Sequence, residues 1–470
     1  MAREIASVLV WRARLVVASD LHVGAGTLTG DAAPAFRDAA GRLVVPGTTW
    51  AGVLRTLARG DDIDLWGTAG GDGGAARVAT ADSVVDLAGR TTRQRDGVTV
   101  DQASGSALDG GVYAREVVPA GAGLGLVLTV ESSPGSEPGD LAFLAELTAA
   151  IRAGRLVAGA RTRRGLGRLL FAPDTAPQVT RRRYDSAAGF WATRRTPEPV
   201  DLVTAPAPAE RGVIEVSVCW SPDTPVIVGE SRSTDVPLAP IMVPAGAGTV
   251  RQLIPGTSIA GALRARAELV CRTVLGVATP PDPVAQQESA PPARWLFGGP
   301  AGGGDTTASA LTVEDCHSTT SVSCEGWLSL LGRAAPRSVH AAGRAEIRIT
   351  DHVAVDRWTG GAADGRLFRV AEPHGFGYEP IRLRLDPAWL PDDRWRVALA
   401  LLMITLRELA EGRVALGAGT HRGLGHIRVD QVQVTVDGVE QPFDLRAPWF
   451  VPFRDAWRSW ATDATAEVPA

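Results

Sequence analysis

Four segments of this chain occur twice, in the same order and with glycines, prolines and charged residues in register, so the chain must fold into something that can be built in duplicate. The first set reads VVPGTTWAGVLR (44–55), LWGTAGGDGGAARVATADS (65–83), VTVDQASGSALDGGVYAREVVPAG (98–121) and AGARTRRGLGRLLF (158–171). The second reads LIPGTSIAGALR (253–264), LFGGPAGGGDTTASALTVEDC (296–316), VAVDRWTGGAADGRLFRVAEPHG (353–375) and LGAGTHRGLGHIRV (416–429). The offset grows from 209 residues at the Pro-Gly-Thr segment to 258 at the Arg-Gly-Leu-Gly segment, which predicts a large insertion in the middle of the second copy. Such a period is too long for a solenoid, so each copy should be a domain with its own core. We place the domains at 1–205 and 212–470, with the boundary near 211.

A chain of 470 residues that is 45% hydrophobic can bury two ordinary cores. No apolar run reaches the roughly 20 residues that span a bilayer, and the start, MAREIASVLVWRARLVV, lacks a secretory signal pattern, so the expected compartment is the cytoplasm with no membrane partner. The four cysteines are too sparse for a disulfide framework, and reduced thiols are expected. All 48 basic residues are arginine, a pattern that codon bias explains, and the net charge of −4 excludes a uniformly basic coat while permitting a basic groove. Residues 152–195 hold eleven arginines against Asp174 and Asp185, an excess that points to polyanion contact.

Each copy opens with an alternating, β-branched strand pattern, VLVWRARLVVAS (8–19) and GVIEVSVCWS (212–221). After a long loop, Pro-Gly-Thr precedes a helix that Thr48 or Ser258 could cap. Glycine-rich strands follow, then a second helix, DLAFLAELTAAIRAG (140–154) or DRWRVALALLMITLRELAEG (393–412), a Gly/Arg loop and a last strand. Strand, helix, strands, helix, strand predicts an α+β, ferredoxin-like unit made twice. Residues 173–211 read as a linker, residues 277–295 as a mobile proline-rich loop, and the aromatics Phe443, Trp449, Phe450, Phe453, Trp457 and Trp460 as an extension packed on its own domain.

The loops GARTRRGLG (159–167) and GAGTHRGLG (417–425) carry the most chemistry. Glycines there could let the backbone approach a phosphate chain and aim N–H groups at it, with Arg163, Arg164 and Arg422 adding charge. No GxxxxGK[ST] loop, nucleophile elbow or cofactor fingerprint occurs.

LHVGAG (21–26), VPGTTWAGVLR, the paired acidic segments at 98–121 and 353–375, and the duplicated Arg-Gly-Leu-Gly loops together resemble the RAMP superfamily, in particular the backbone subunits of type III CRISPR effector complexes. The resemblance implies tandem ferredoxin-like domains lined up along a guide RNA, each inserting a thumb hairpin, for which segments 84–97 and 316–352 are in position. It implies RNA contacts at His22, Arg55, Arg161, Arg163, Arg164, Gly165, Gly167, Arg264, His421, Arg422, Gly423 and Gly425. It also implies cleavage of single-stranded target RNA by an aspartate in the loop after the first strand, with a divalent ion, Mg2+, and partnership with the other effector subunits. Asp235, in Asp-Val-Pro, matches the family's Asp-x-Pro. Copy one departs, because Asp31 stands one residue early relative to Pro34, and a slip of up to roughly 3.5 Å is enough to disturb a catalytic geometry.

Asp101 and Asp356 are expected to organise turns. Cys316, His317, Cys324 and His340, with Cys271 nearby, lack a CxxC knuckle, so zinc is not expected. Two alternatives stay open: a purely structural RNA-binding subunit, in which neither aspartate cuts, and a guide-processing endoribonuclease resting on His22.

Overall fold

The computed structural model describes residues 4–26, 32–58, 63–68, 74–102, 104–207, 212–230, 236–299, 308–332 and 336–466. The chain falls into two compact units: Met1–Asp96 with Tyr113–Thr162 and Leu166–Glu210, and Arg211–Ala470 with Gly97–Val112 and Arg163–Gly165.

The core of the first unit runs β1 (Ser7–Val17), α1 (Gly47–Leu57), β2 (Val78–Thr80), β3 (Ser83–Asp86), β4 (Gly123–Ser132), α2 (Glu137–Arg152) and β5 (Leu169–Phe171), followed by β6 (Gln178–Arg183). β1 is central, antiparallel to β4 on one side and to β5 and β6 on the other, while β2 and β3 pair with the far side of β4. Numbering the repeat's strands by their order in the chain, the sheet reads 4-1-3-2, the ferredoxin-like arrangement. Leu9, Trp11, Ala13, Leu15 and Val17 alternate along β1 on one buried face. They pack with Trp50 and Leu54 of α1 and Leu144, Leu147 and Ile151 of α2. Burying the Trp11 ring needs a partner for its N–H, which Thr148 Oγ1 accepts at 3.1 Å.

The second unit repeats the scheme with β7 (Ile214–Pro222), α3 (Gly256–Leu275), β8 (Leu311–Val313), β9 (Ile381–Leu385), α4 (Asp392–Ala410) and β10 (Ile427–Val436), in the same sheet order. Val216, Val218 and Trp220 of β7 meet Ile259 and Leu263 of α3 and Leu399, Leu402 and Leu406 of α4. Phe450 and Trp457 are buried in this core, and Phe443, Trp449, Phe453 and Trp460 pack against it, as the extension reading requires. Among the described residues no helix is long and apolar enough to cross a membrane.

The Pro-Gly-Thr motif has a geometric reason. α1 and α3 start at the glycine, with Pro46 and Pro255 as N-caps and no side-chain cap bond, so Thr48 and Ser258 do not cap. The first N–H is instead taken by a carboxylate distant in sequence: Gly47 N donates to Asp82 Oδ1 at 2.7 Å and Gly256 N to Asp315 Oδ1 at 2.8 Å. A Cβ at Gly47 would lie 2.5 Å from Thr80 O, and one at Gly256 2.3 Å from Val313 O, so only glycine allows the helix to start this close to the neighbouring strand.

Three expectations are corrected. The proposed linker contains β6, a helix at Ala187–Arg195 and an edge strand at Glu198–Val200, because residues 178–183 complete the exposed side of β1. The proposed mobile loop folds into helices Pro283–Glu288 and Pro291–Phe297, whose prolines occupy first-turn positions where no N–H is needed, and which bury Ala293, Leu296 and Phe297. The hairpins are made by Arg93–Val100 with Ala107–Val117, and by Glu346–Val355 with Ala362–His374, so each starts within the expected segment, 84–97 or 316–352, but runs on through the repeated acidic segment, which supplies its whole return strand.

Candidate nucleic-acid interface

The two Gly/Arg loops share one backbone design. Gly159, Arg161, Gly165 and Gly167 have φ of 86°, 61°, 88° and 80°, and Gly417, Gly419, Gly423 and Gly425 have 86°, 76°, 85° and 79°. Each loop carries a short 3-10 turn, Thr162–Arg164 or Thr420–Arg422. Each docks on the segment after the first strand: Ala160 N and Gly167 N donate to His22 O and Asp20 O, and Ala418 N and Gly425 N to Ile227 O and Pro225 O. A Cβ would come within 2.3 Å of His22 O at Gly159 and 1.9 Å of Ala158 O at Gly167, with 2.4 and 2.2 Å at the equivalent Gly417 and Gly425. The Gly167 and Gly425 N–H groups are therefore satisfied within the protein, and these glycines serve backbone approach to backbone.

What the docking achieves is to hold the loop beside the base of the hairpin. In the first unit the Arg115 guanidinium lies 4.5 Å over the Tyr113 ring, and Arg161 reaches the same ring at 5.9 Å. Burial first, and the Arg161 charge second, lower the Arg115 pKa from its ordinary value, although an arginine stays charged. Next to this pair, Glu116 accepts a two-pronged ion pair from Arg37 at 2.6 and 2.8 Å and the Ala35 N–H at 3.0 Å, which holds its carboxyl down at about 2. His22 is buried, with Nδ1 2.7 Å from the Glu116 carbonyl. A carbonyl only accepts, so Nδ1 carries the hydrogen and Nε2 the lone pair of the neutral ring. Burial lowers the His22 pKa and favours that neutral form.

The hairpin base of the second unit is built differently. Arg422 lies 5.4 Å over the Phe368 ring, which stacks on His352 at 5.5 Å. Buried Glu372 sits between His352 Nε2 at 3.2 Å and His374 Nε2 at 3.3 Å. His421 and Arg422 are both exposed.

The remaining predicted contacts divide. Arg55 is exposed, with no partner among the described residues, whereas Arg264 is held by Glu268 at 2.7 Å and Gln287 at 2.8 Å. Within the second unit, Arg163 stacks 4.3 Å over Trp389 and Arg164 donates to the Phe297 carbonyl. A Cβ at Gly165 would lie 2.6 Å from Asp315 Oδ1. In the basic stretch, Arg181 is tied to Glu137 and Glu198, and Arg183 to Glu198, which removes two of the eleven arginines from the free positive charge. Asp101 and Asp356 cap turns, Asp101 accepting from Ser104 N and Asp356 from Trp358 N and Thr359 N. Burial pushes the Cys271 and Cys316 thiols up to about 12, so both stay protonated.

Asp31 and Asp235 lie outside the described residues, but the ends of their loops are defined. Gly24 bridges to Ala35 and Gly229 to Pro240, so the two loops have equal length. Asp31 is the seventh residue after Gly24 and Asp235 the sixth after Gly229. In this frame the carboxylates are again one position apart, with Asp31 the later of the two. Tyr113, Arg115 and the Arg37–Glu116 pair escaped the sequence reading. The signal was there for Arg115, which stands in register with Arg369 in the repeated hairpin segment.

The family model described as the RAMP superfamily matches residues 14–170 and 224–428, one stretch in each copy and together well over half of the chain. No curated protein matches the chain.

Proposed function

The chain belongs to the RAMP superfamily, and from that premise we propose that it is a guide-RNA-binding backbone subunit of a type III CRISPR complex and cuts the target RNA paired to that guide. Membership implies involvement in type III CRISPR complexes, with RNA and other subunits as partners. The observation that carries the RNA-binding part is the Tyr113, Arg115 and Arg161 cluster. Two guanidinium groups facing one ring repel each other, and neither has a carboxylate partner among the described residues. A phosphodiester relieves that repulsion and suits the arginine fork, while the ring offers a face to a base or to the cations themselves.

In the cutting step, Asp235, and Asp31 in the first copy, would take the proton from a target 2′-hydroxyl. The 2′-oxygen forms a bond to the adjacent phosphorus, the P–O5′ bond breaks, and the departing 5′-oxygen is protonated, leaving a 2′,3′-cyclic phosphate and a 5′-hydroxyl. The family's divalent ion has no cage among the described residues, where no group of three His, Cys, Asp or Glu side chains converges.

The test assembles the full chain with guide RNA and neighbouring subunits and maps cuts in a labelled complementary target, with and without magnesium. We expect Asp235→Ala to remove one discrete cut and the products to end in cyclic phosphate; a second cut lost in Asp31→Ala makes both copies active, and its absence confines cutting to the second copy. A wild-type complex that binds target and leaves it whole would make the protein a structural subunit.

A further inference from the structure

Residues 178–200 form a small appendage on the sheet of the first unit, outside both family-matched stretches, and its side chains are arranged as no packing role requires. β6 adds to β1, the chain turns at Asp185, and the helix Ala187–Arg195 returns over β6. The helix is anchored by polar bonds: Ser186 Oγ accepts from Gly189 N at 3.0 Å, and Thr193 Oγ1 accepts from Arg183 N at 2.9 Å while donating to Gly189 O at 2.8 Å. Thr193 is its one buried residue.

The aromatic residues of this appendage are consequently left outside the core. Tyr184, Phe190 and Trp191 are absent from the hydrophobic cluster that fills the first unit. Tyr184 is 44% and Trp191 66% exposed. Half-buried Phe190 stands between them, its ring 5.6 Å from Tyr184 and 5.3 Å from Trp191, and Arg194 lies 5.6 Å over Phe190 and 5.4 Å over Trp191. Charge reinforces the pattern. Arg181 and Arg183 are neutralised by Glu137 and Glu198, but Arg182, Arg194 and Arg195 are exposed and carry no ion pair among the described residues. Asp185, at the turn, accepts from Ser186 Oγ at 3.4 Å and lies 3.7 Å from Arg183.

Exposed rings with unpaired arginines around them match the physics of single-stranded nucleic-acid binding, in which bases stack on aromatic faces and arginines follow the backbone with little sequence preference. We infer that the Tyr184, Phe190 and Trp191 face, with Arg182, Arg194 and Arg195, is a separate binding surface for single-stranded RNA. It is independent of the hairpin-base cluster and of any cutting by Asp31 or Asp235.

The experiment measures binding of a fluorescent single-stranded oligouridine to the full chain by anisotropy, over a range of salt, for the wild type, Tyr184→Ala/Trp191→Ala, Arg182→Gln/Arg194→Gln/Arg195→Gln, and Arg115→Gln/Arg161→Gln. Thermal melts establish that each variant is folded. The inference expects the aromatic variant to bind at least about fivefold more weakly. The triple arginine variant should lower the log–log salt slope by roughly 0.7 per arginine lost. Ultraviolet crosslinks should map to Tyr184 or Trp191, and an RNA duplex of equal length should compete poorly. Unchanged affinity in the folded aromatic variant overturns the inference, as does equal competition by polyglutamate, which would mark a general polyanion or acidic-protein surface. Weakening in Arg115→Gln/Arg161→Gln alone would support the hairpin-base site and sink this one, and the reverse pattern would do the opposite.

Discussion

Gly167 and Gly41 share a positive φ, 80° and 76°, but a Cβ at Gly167 would sit 1.9 Å from Ala158 O, while nothing lies within 4 Å of one at Gly41. Gly41→Ala should therefore cost only the backbone strain of a left-handed alanine, on the order of 1 kcal/mol. Gly167→Ala must in addition push the loop off its own carbonyl, and we expect a loss at least about twice as large, read as a lower denaturant midpoint at unchanged slope. Glu116 supports a second residue-scale prediction. Its folded carboxyl titrates at about 2 against an ordinary 4.5, chiefly because Arg37 donates to it. A depressed folded pKa gives stability that is fully present above the ordinary value and is lost as pH falls toward about 2. The wild type should thus lose more stability than Arg37→Leu between pH 4.5 and 2, measured as urea midpoints. Equal slopes would remove the ion pair from the account.

Among elements, the helix starts give the sharpest test. Asp82→Ala and Asp315→Ala each orphan the first N–H of a helix and should cost ~1 kcal/mol, whereas Thr48→Ala, which removes no cap bond, should leave the melting temperature close to wild type. This is also where the limits of sequence reading are clearest. The duplicated strands and helices were legible because alternation in VLVWRARLVV and the length of the apolar runs are local signals. The caps were not, since Asp82 is 35 residues from Gly47 and only the sheet brings them together. The same applies to the appendage at 178–200: its string of arginines hides a strand whose partner is residues 7–12, at the other end of the domain. The prolines of 277–295 looked like breakers because a first-turn proline cannot be told from a loop proline until the helix after it is seen. Of the candidate site, the Gly/Arg loops could be found by repetition, but their glycines proved to serve docking, and the cations with the clearest anion geometry, Arg115 and Arg161, meet through a tyrosine contributed by the hairpin.

Across the whole chain, duplication makes each copy a control for the other. The two Gly/Arg loops keep the same sequence of φ angles while the hairpin bases diverge, with an arginine pair on Tyr113 in one and a glutamate between two histidines in the other. Backbone design has thus been held where a loop must dock, and side chains have been free to differ where a ligand would be met. The outer strand Glu198–Val200 carries one further consequence. It is three residues long and its middle residue, Pro199, pairs with Thr180 on the inner side and has no N–H for a newcomer. Another strand laid along that rim finds no continuous ladder to extend, so edge-to-edge polymerisation is opposed at this margin by a single imino acid.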